Sequence, residues 1–227
     1  MDQIILIRHG ESTFNRAGRF QGQSDAAELT ELGRRQAQAA GRWLAGTEVA
    51  RVVASPLLRA AQTAALVADG LGYPRAAIAS DPRLMEVDLG HWAGRERDEI
   101  EHAEPALYRT WVERPYDLCL AGRFPVRELH RRLESFCDEV HQHEGTSVIV
   151  AHRGPIAALI VKLMRRPPRE HGRRPSDPGS VTMLQGDGPA SNRVYRLLCV
   201  NVRPRLGDTS GSPQPPGSRP GFAPQGE

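Results

Sequence analysis

Lysine is nearly absent from this chain: Lys162 is the only one among 30 basic residues, so 29 are arginines. Anion binding therefore falls to the guanidinium, which is always charged and offers five donors in a planar fork. Charge of one sign is also scarce. Thirty basic against 27 acidic residues leave +3 over 227 residues, which gives no footprint for tracking a nucleic-acid backbone. Cysteine is sparse too. Cys119, Cys137 and Cys199 are too few and too scattered for a disulfide framework or a CxxC metal knuckle, and read as buried thiols in a reducing compartment. The apolar run Ile4–Ile7 is far shorter than a signal-peptide core or a membrane span, so cytoplasmic residence without membrane contact is the expectation. What remains is ordinary: 39% hydrophobic and 25% charged residues suit a globular, enzyme-sized body and exclude collagen-like, coiled-coil and wholly disordered classes.

The chain divides at about Leu206. Before it, apolar segments recur every fifteen to thirty residues. After it, residues 207–227 are rich in Gly, Pro and Ser, with little to bury, and read as a disordered tail. Within 1–206, residues 3–8, 51–55 and 147–152 are short, continuously apolar runs of the kind buried on both faces of a sheet. Helices are expected after Thr30 as N-cap, from Ser55-Pro56 onward with Arg59 in the first turn, over 127–141, where Leu129, Leu133, Phe136, Cys137 and Val140 share a face, and from Pro155. Two further strands near the C-terminus read as a hairpin. Strands alternating with helices argue an α/β fold with a mainly parallel sheet.

Two of these strands end in histidine, His9 and His152, each with a glycine within two residues. Ligands of open α/β sheets bind beyond the carboxyl ends of the strands, so topology alone places both imidazoles where a site is expected. LIRHGESTFN (6–15) resembles the signature of the histidine phosphatase superfamily, the phosphoglycerate-mutase-like proteins. GRFQGQSD (18–25) with ELTELGRRQA, ASPLLRAAQTA (54–64), LMEVDLGHWAG (84–94) and VIVAHRGPIAAL (148–159) follow in the family's order. The resemblance implies a three-layer α/β/α sandwich with a mainly parallel central sheet.

Carried over residue by residue, the resemblance makes His9 a nucleophile that becomes phosphorylated. Arg8, Arg59 and His152 would hold the phosphoryl oxygens, Glu86 would donate the proton, and Asn15, Gln21 and Gly22 would bind substrate around the pocket. The residue types suit that chemistry. A phosphomonoester carries about −1.5 to −2 charges near neutrality, and two guanidiniums plus an imidazolium supply charge-assisted hydrogen bonds to its oxygens. Flanking cations should hold His9 below about 6.5 and leave a ring nitrogen free to attack. Glu86 faces the opposite demand: raising a carboxyl from about 4.3 by two units costs roughly 3 kcal/mol, a shift expected mainly with substrate present. No metal and no cofactor are called for, since the cationic cage takes the place of Mg²⁺.

Other residues read more plainly. Ser12 and Thr13 are turn residues, and His102, His130, His143 and His171 are solvated. Phe20, Trp92 and Trp111 line the pocket or pack in the core. Cys137 and His141 stand one helical turn apart without a third ligand. The sequence departs from the family at DAAELT, at AGRFPVRELHRR and at Arg153, where the second histidine is commonly followed by Gly-Gly. Arg153 either reads an anionic group or faces solvent. A short Glu86–His152 separation and LGHWAG point to the phosphatase branch: a metal-independent phosphatase of small phosphorylated metabolites. A cofactor-dependent phosphoglycerate mutase and a non-catalytic phosphate-binding module are the alternatives.

Overall fold

The computed structural model describes residues 2–172, 176–189 and 193–207. In chain order it contains β1 (Gln3–Arg8), α1 (Thr13–Arg16), α2 (Glu31–Trp43), β2 (Arg51–Ala54), α3 (Leu58–Leu71), β3 (Ala79–Ser80), α4 (Arg97–Ala103) and α5 (Pro105–Glu113). These are followed by α6 (Pro125–Arg132), α7 (Glu134–Gln142), β4 (Ser147–Ala151), α8 (Arg153–Leu163), β5 (Val181–Asp187) and β6 (Val194–Val202). The strands form one sheet in the order β3-β2-β4-β1-β5-β6. β1, β4, β2 and β3 run parallel, while β5 is antiparallel to β1 and β6 to β5.

Strand alternation sorts the core into two layers. Ile5, Ile7, Val52, Val148 and Val150 cluster with Ala40 of α2, its C-cap Leu44, and Ala60, Ala64 and Val67 of α3. Ile4, Leu6, Val53, Ile149 and Ala151 face Leu129, Leu133, Phe136, Val140 and Leu159 on α6, α7 and α8. Each large aliphatic side chain so buried contributes about 1.5–3 kcal/mol, and covering both faces gives the expected α/β/α sandwich.

Local expectations hold with adjustments. Thr30 caps α2 by accepting the Gly33 N–H at 3.0 Å. Helix α3 starts at Leu58, not at Pro56, with Leu57 as its N-cap, and the Ser55 hydroxyl meets the His152 ring at 2.8 Å. The helix expected over 127–141 is two, α6 and α7, joined at Leu133, whose ψ of −3° departs from the helical value. The sequence reading had no helices for 97–113, where α4 and α5 lie. Of the cysteines, all free, Cys137 is buried while Cys119 and Cys199 are half-buried. His141 donates through Nδ1 to the Cys137 carbonyl at 2.6 Å, which accounts for their spacing within the helix. The proposed tail falls, beyond Gly207, outside the described residues. Among those described, no helix is long and apolar enough to cross a membrane.

Arg193 ties three parts of this frame together. It is 3% exposed, pairs with Asp2 Oδ2 at 2.7 Å, and donates to the carbonyls of His141 and His143 at the end of α7, both at 2.9 Å. Those carbonyls have no partner within the helix, so the guanidinium satisfies orphaned acceptors as well as a charge. Arg193→Ala should lower unfolding stability by about 3 kcal/mol, measured by urea denaturation, because it strands a carboxylate and two carbonyls.

Candidate active site

Arg8 lies level with Ala151 across the β1/β4 pair, so the next residues, His9 and His152, leave the sheet side by side. Their ring centroids are 5.1 Å apart, and both rings are buried, His9 at 1% and His152 at 0% exposure. The His9 Nδ1 sits 2.8 Å from the Gly10 carbonyl, which can only accept, so Nδ1 carries the proton and Nε2 keeps its lone pair. Burial, reinforced by the Arg8 and Arg59 guanidiniums, holds the His9 pKa well below its ordinary value, as the sequence predicts.

His152 differs from expectation. Burial first, then Arg59, His9 and Arg8, hold its pKa well below the ordinary value too, so the cage contains a neutral imidazole where an imidazolium was expected. A neutral ring still has one N–H to give. Nε2 of His152 meets the Ser55 hydroxyl at 2.8 Å, and that hydroxyl also accepts the Leu57 N–H at 3.4 Å. Nδ1 of His152 is buried and makes no hydrogen bond.

Both guanidiniums are tethered to backbone carbonyls through Nη atoms. Arg59, 0% exposed in the first turn of α3, donates through Nη1 to the Ser24 carbonyl at 2.9 Å and through Nη2 to the Gly22 carbonyl at 3.0 Å. Gly22 presents that carbonyl from a φ of +49°, which a side chain would oppose. Arg8 donates through Nη1 to the Ser176 carbonyl at 2.5 Å. Burial brings its pKa down to about 10; Glu86 opposes the shift and the charges of Arg153 and Arg97 deepen it. The Nε atoms of Arg8 and Arg59 are buried and unpartnered.

Glu86 completes the group. Its Oε1 accepts the Val87 N–H at 2.8 Å and the Gly154 N–H at 3.1 Å, placing the carboxyl at the start of α8. Gly154 permits this approach: a Cβ there would stand 2.3 Å from Oε1 and 2.6 Å from Val87 Cγ2. The backbone of Glu86 is anchored from behind, its carbonyl accepting from Gln23 Nε2 at 3.1 Å and from Arg132 Nη2 at 3.3 Å. Arg132 also donates to the Arg83 and Met85 carbonyls, so one α6 side chain secures the whole segment.

Ser12 plays more than the turn role read for it. It caps α1, accepting the Asn15 N–H while its own N–H donates to Asn15 Oδ1 at 3.2 Å; its hydroxyl donates to Gln21 Oε1 at 2.9 Å. With both amide oxygens engaged, the NH₂ groups of Asn15 and Gln21 are the ends left to face a ligand. Asn15, Gln21, Gly22, Arg8 and Glu86 line a cleft of about 690 Å³, walled further by Phe20, Trp111, Arg97 and Arg153. His9, Arg59 and His152 are buried, and of the proposed cage Arg8 and Glu86 are the members that line the cleft. Trp92 is core, 0% exposed, with its indole N–H on Glu104 at 3.1 Å. Among the described residues, no three His, Cys, Asp or Glu side chains are grouped to ligate an ion.

The model of the histidine phosphatase superfamily, branch 1, matches residues 4–196. The chain belongs to this superfamily. It is 31% identical over 166 residues to phosphoserine phosphatase 1 of Hydrogenobacter thermophilus, an alignment covering 72% of this chain and 77% of that one. It is 35% identical over 159 residues to a 2-carboxy-D-arabinitol-1-phosphatase of Triticum aestivum, covering 70% of this chain but only 32% of the longer wheat protein. Among solved structures, a mycobacterial glucosyl-3-phosphoglycerate phosphatase in complex with VO₃ superposes with a TM-score of 0.77 at 30% identity, covering 88% of this chain and 98% of that one. The histidine phosphatase fold is thus shared over nearly the whole described body.

Two histidines read as solvated are not. His130 and His171 are 4% and 5% exposed, with His130 Nε2 3.1 Å from His171 Nδ1. Burial lowers their pKa values to about 4 and about 3. His171 lines the cleft and His130 belongs to α6, so the pair pins the cleft wall to the scaffold. Four buried histidines with depressed pKa values set the sign of the pH response. Unfolding exposes them, the unfolded chain takes up protons below about 6.5, and stability present above that pH is lost as pH falls. Each contributes up to about 1.4 kcal/mol per pH unit below 6.5. Urea midpoints should therefore drop between pH 7.5 and 5.5, and unchanged midpoints would contradict the buried neutral state.

Proposed function

We propose that this histidine phosphatase superfamily member hydrolyses small phosphomonoesters through a phosphohistidine on His9. One observation carries the reading. Three buried nitrogens with no partner, Nε of Arg8, Nε of Arg59 and Nδ1 of His152, belong to side chains that surround a neutral imidazole with a free Nε2. Each buried, unsatisfied donor costs about 1–3 kcal/mol, a cost that a tetrahedral oxyanion removes.

In this mechanism the guanidiniums and His152 hold the phosphoryl oxygens while His9 Nε2 attacks phosphorus in line with the ester oxygen. The N–P bond forms as the P–O bond breaks, and Glu86 gives its proton to the departing oxygen. The Glu86 carboxylate then takes a proton from water, whose oxygen attacks phosphorus and breaks the N–P bond. Inorganic phosphate leaves and His9 is restored. Asn15 and Gln21 offer NH₂ donors to the same anion, and Ser55 acts through His152 by holding its ring in place at Nε2. The phosphatases among the relatives support hydrolysis as the outcome.

His9→Ala should reduce phosphate release from p-nitrophenyl phosphate by a factor on the order of 10³ or more, and should abolish the acid-labile label left by a ³²P-substrate. Isomerisation of 3-phosphoglycerate with little phosphate release would identify a mutase, and binding with neither reaction a phosphate-binding module. Full turnover by the variant would end the proposal. Gly154→Ala should lower kcat by about tenfold to a hundredfold while inorganic phosphate inhibits with nearly unchanged strength, since the new methyl displaces the Glu86 carboxyl and leaves the cage intact. A pre-steady-state burst separates the two steps for which Glu86 is invoked.

A further inference from the structure

We infer that Thr63 and Gln36 are positioning residues for the reacting histidine: they hold the two peptide planes on either side of Gly10, and through them aim the His9 ring. The inference rests on the phosphatase reading and deepens it, since it names what orients the nucleophile inside the cationic cage.

The first argument is the looseness that has to be overcome. A Cβ at Gly10 would stand 2.2 Å from the Gly33 carbonyl oxygen, and one at Gly33 would stand 2.0 Å from the Glu11 carbonyl oxygen, so the loop after His9 is pressed onto the start of α2 and has room only for glycine. Glycine has the widest backbone freedom of any residue. Yet the Gly10 carbonyl is the group that accepts from His9 Nδ1, at 2.8 Å, and so sets both the tautomer of the ring and the direction of Nε2. An acceptor free to swing would leave the ring poorly aimed.

The second argument is how that freedom is removed. In the His9–Gly10 peptide the N–H donates to Thr63 Oγ1 at 3.1 Å, and the carbonyl accepts the Gly179 N–H at 3.1 Å. In the Gly10–Glu11 peptide, whose carbonyl takes the His9 proton, the N–H donates to Gln36 Oε1 at 2.8 Å. Thr63 is 0% exposed on α3 and passes its own proton to the Arg59 carbonyl at 2.7 Å. That back-bond alone satisfies the hydroxyl of a helical threonine, so the bond to Gly10 is a further task. One turn of α3 therefore carries a phosphoryl clamp at its start and a hold on the nucleophile's loop at its end, which fixes the two relative to each other. Gln36 comes from α2 and packs on Gly179, where a Cβ would stand 2.5 Å from its own. Neither Thr63 nor Gln36 is among the side chains that line the cleft, so both act through Gly10.

Thr63→Val keeps the side-chain shape without the hydroxyl, and Gln36→Met keeps the length without the acceptor. Each should lower kcat for p-nitrophenyl phosphate by about tenfold to a hundredfold, and slow single-turnover labelling of His9 by the same factor. Competitive inhibition by inorganic phosphate should stay within about threefold of wild type, because the cage side chains are unaltered. Thr63→Ser, which retains the hydroxyl, should recover most of the loss. ¹⁵N NMR of the His9 ring should place the proton on Nδ1 in the wild type and share it between both nitrogens in Thr63→Val. The inference is overturned by a kcat within about threefold of wild type in either variant, by a loss that Thr63→Ser does not recover, by phosphate inhibition lost in parallel, or by an unchanged ring signal. Should Thr63→Val not fold, Gln36→Met and Thr63→Ser decide by the same measures. The ring signal is read without substrate, so a shifted tautomer in a protein that shows no turnover would fault the phosphatase reading alone.

Discussion

Keeping one imidazole neutral among fixed cations is the constraint on which this structure turns. The attack on phosphorus proposed for His9 needs a neutral ring, and burial with Arg8 and Arg59 nearby makes protonation unfavourable. The same burial is costly for the arginines. Arg59 has no exposure, and two loop carbonyls, from Gly22 and Ser24, take the place of water on one side of its fork. The loop after α1 is shaped around that need, including the left-handed turn at Gly22. Thus the burial of these charges around His9 propagates outward into backbone conformation several residues away.

Sheet register supplies the precision that loops alone would not. Arg8 opposite Ala151 brings two histidines to one edge without any direct bond between the strands' side chains. The remaining groups arrive from helix starts: Arg59 at α3, and the Gly154 N–H that holds Glu86 at α8. Helix starts carry unpaired N–H groups and positive potential, so they collect the carboxyl and, with the guanidiniums, favour an anion. Arg132 and Gln23 hold the Glu86 backbone from the opposite side.

Much of this could be read from the residues. The strands ending in histidine, the N-cap at Thr30 and the position of Arg59 follow from apolar runs and capping chemistry. Less accessible were contacts between distant segments. Ser55 read as a helix cap because Ser-Pro before an Ala-rich run fits that pattern; its partner, His152, is 97 positions away. Ser12 did carry a local signal, the serine three residues before an amide side chain, which marks a capping box and could have been used. His130 and His171 looked solvated because polarity is a poor guide to burial when two imidazoles bond to one another. The break at Leu133 left the apolar spacing intact on both sides, so periodicity could not reveal it.

Stability and chemistry compete in the cage. Three unpartnered buried nitrogens, two neutral histidines and two desolvated arginines each disfavour folding, and an apolar core of the same volume would be more stable. The opposing contribution comes from two continuous apolar layers, in which every β4 residue and the middle of β1 are buried. The strand that leads into His152, β4, is therefore buried at every residue. A rigid sheet under an electrostatically strained floor is what allows donors to stay in place while unpaired, and that preorganisation is what an oxyanion-stabilising site requires.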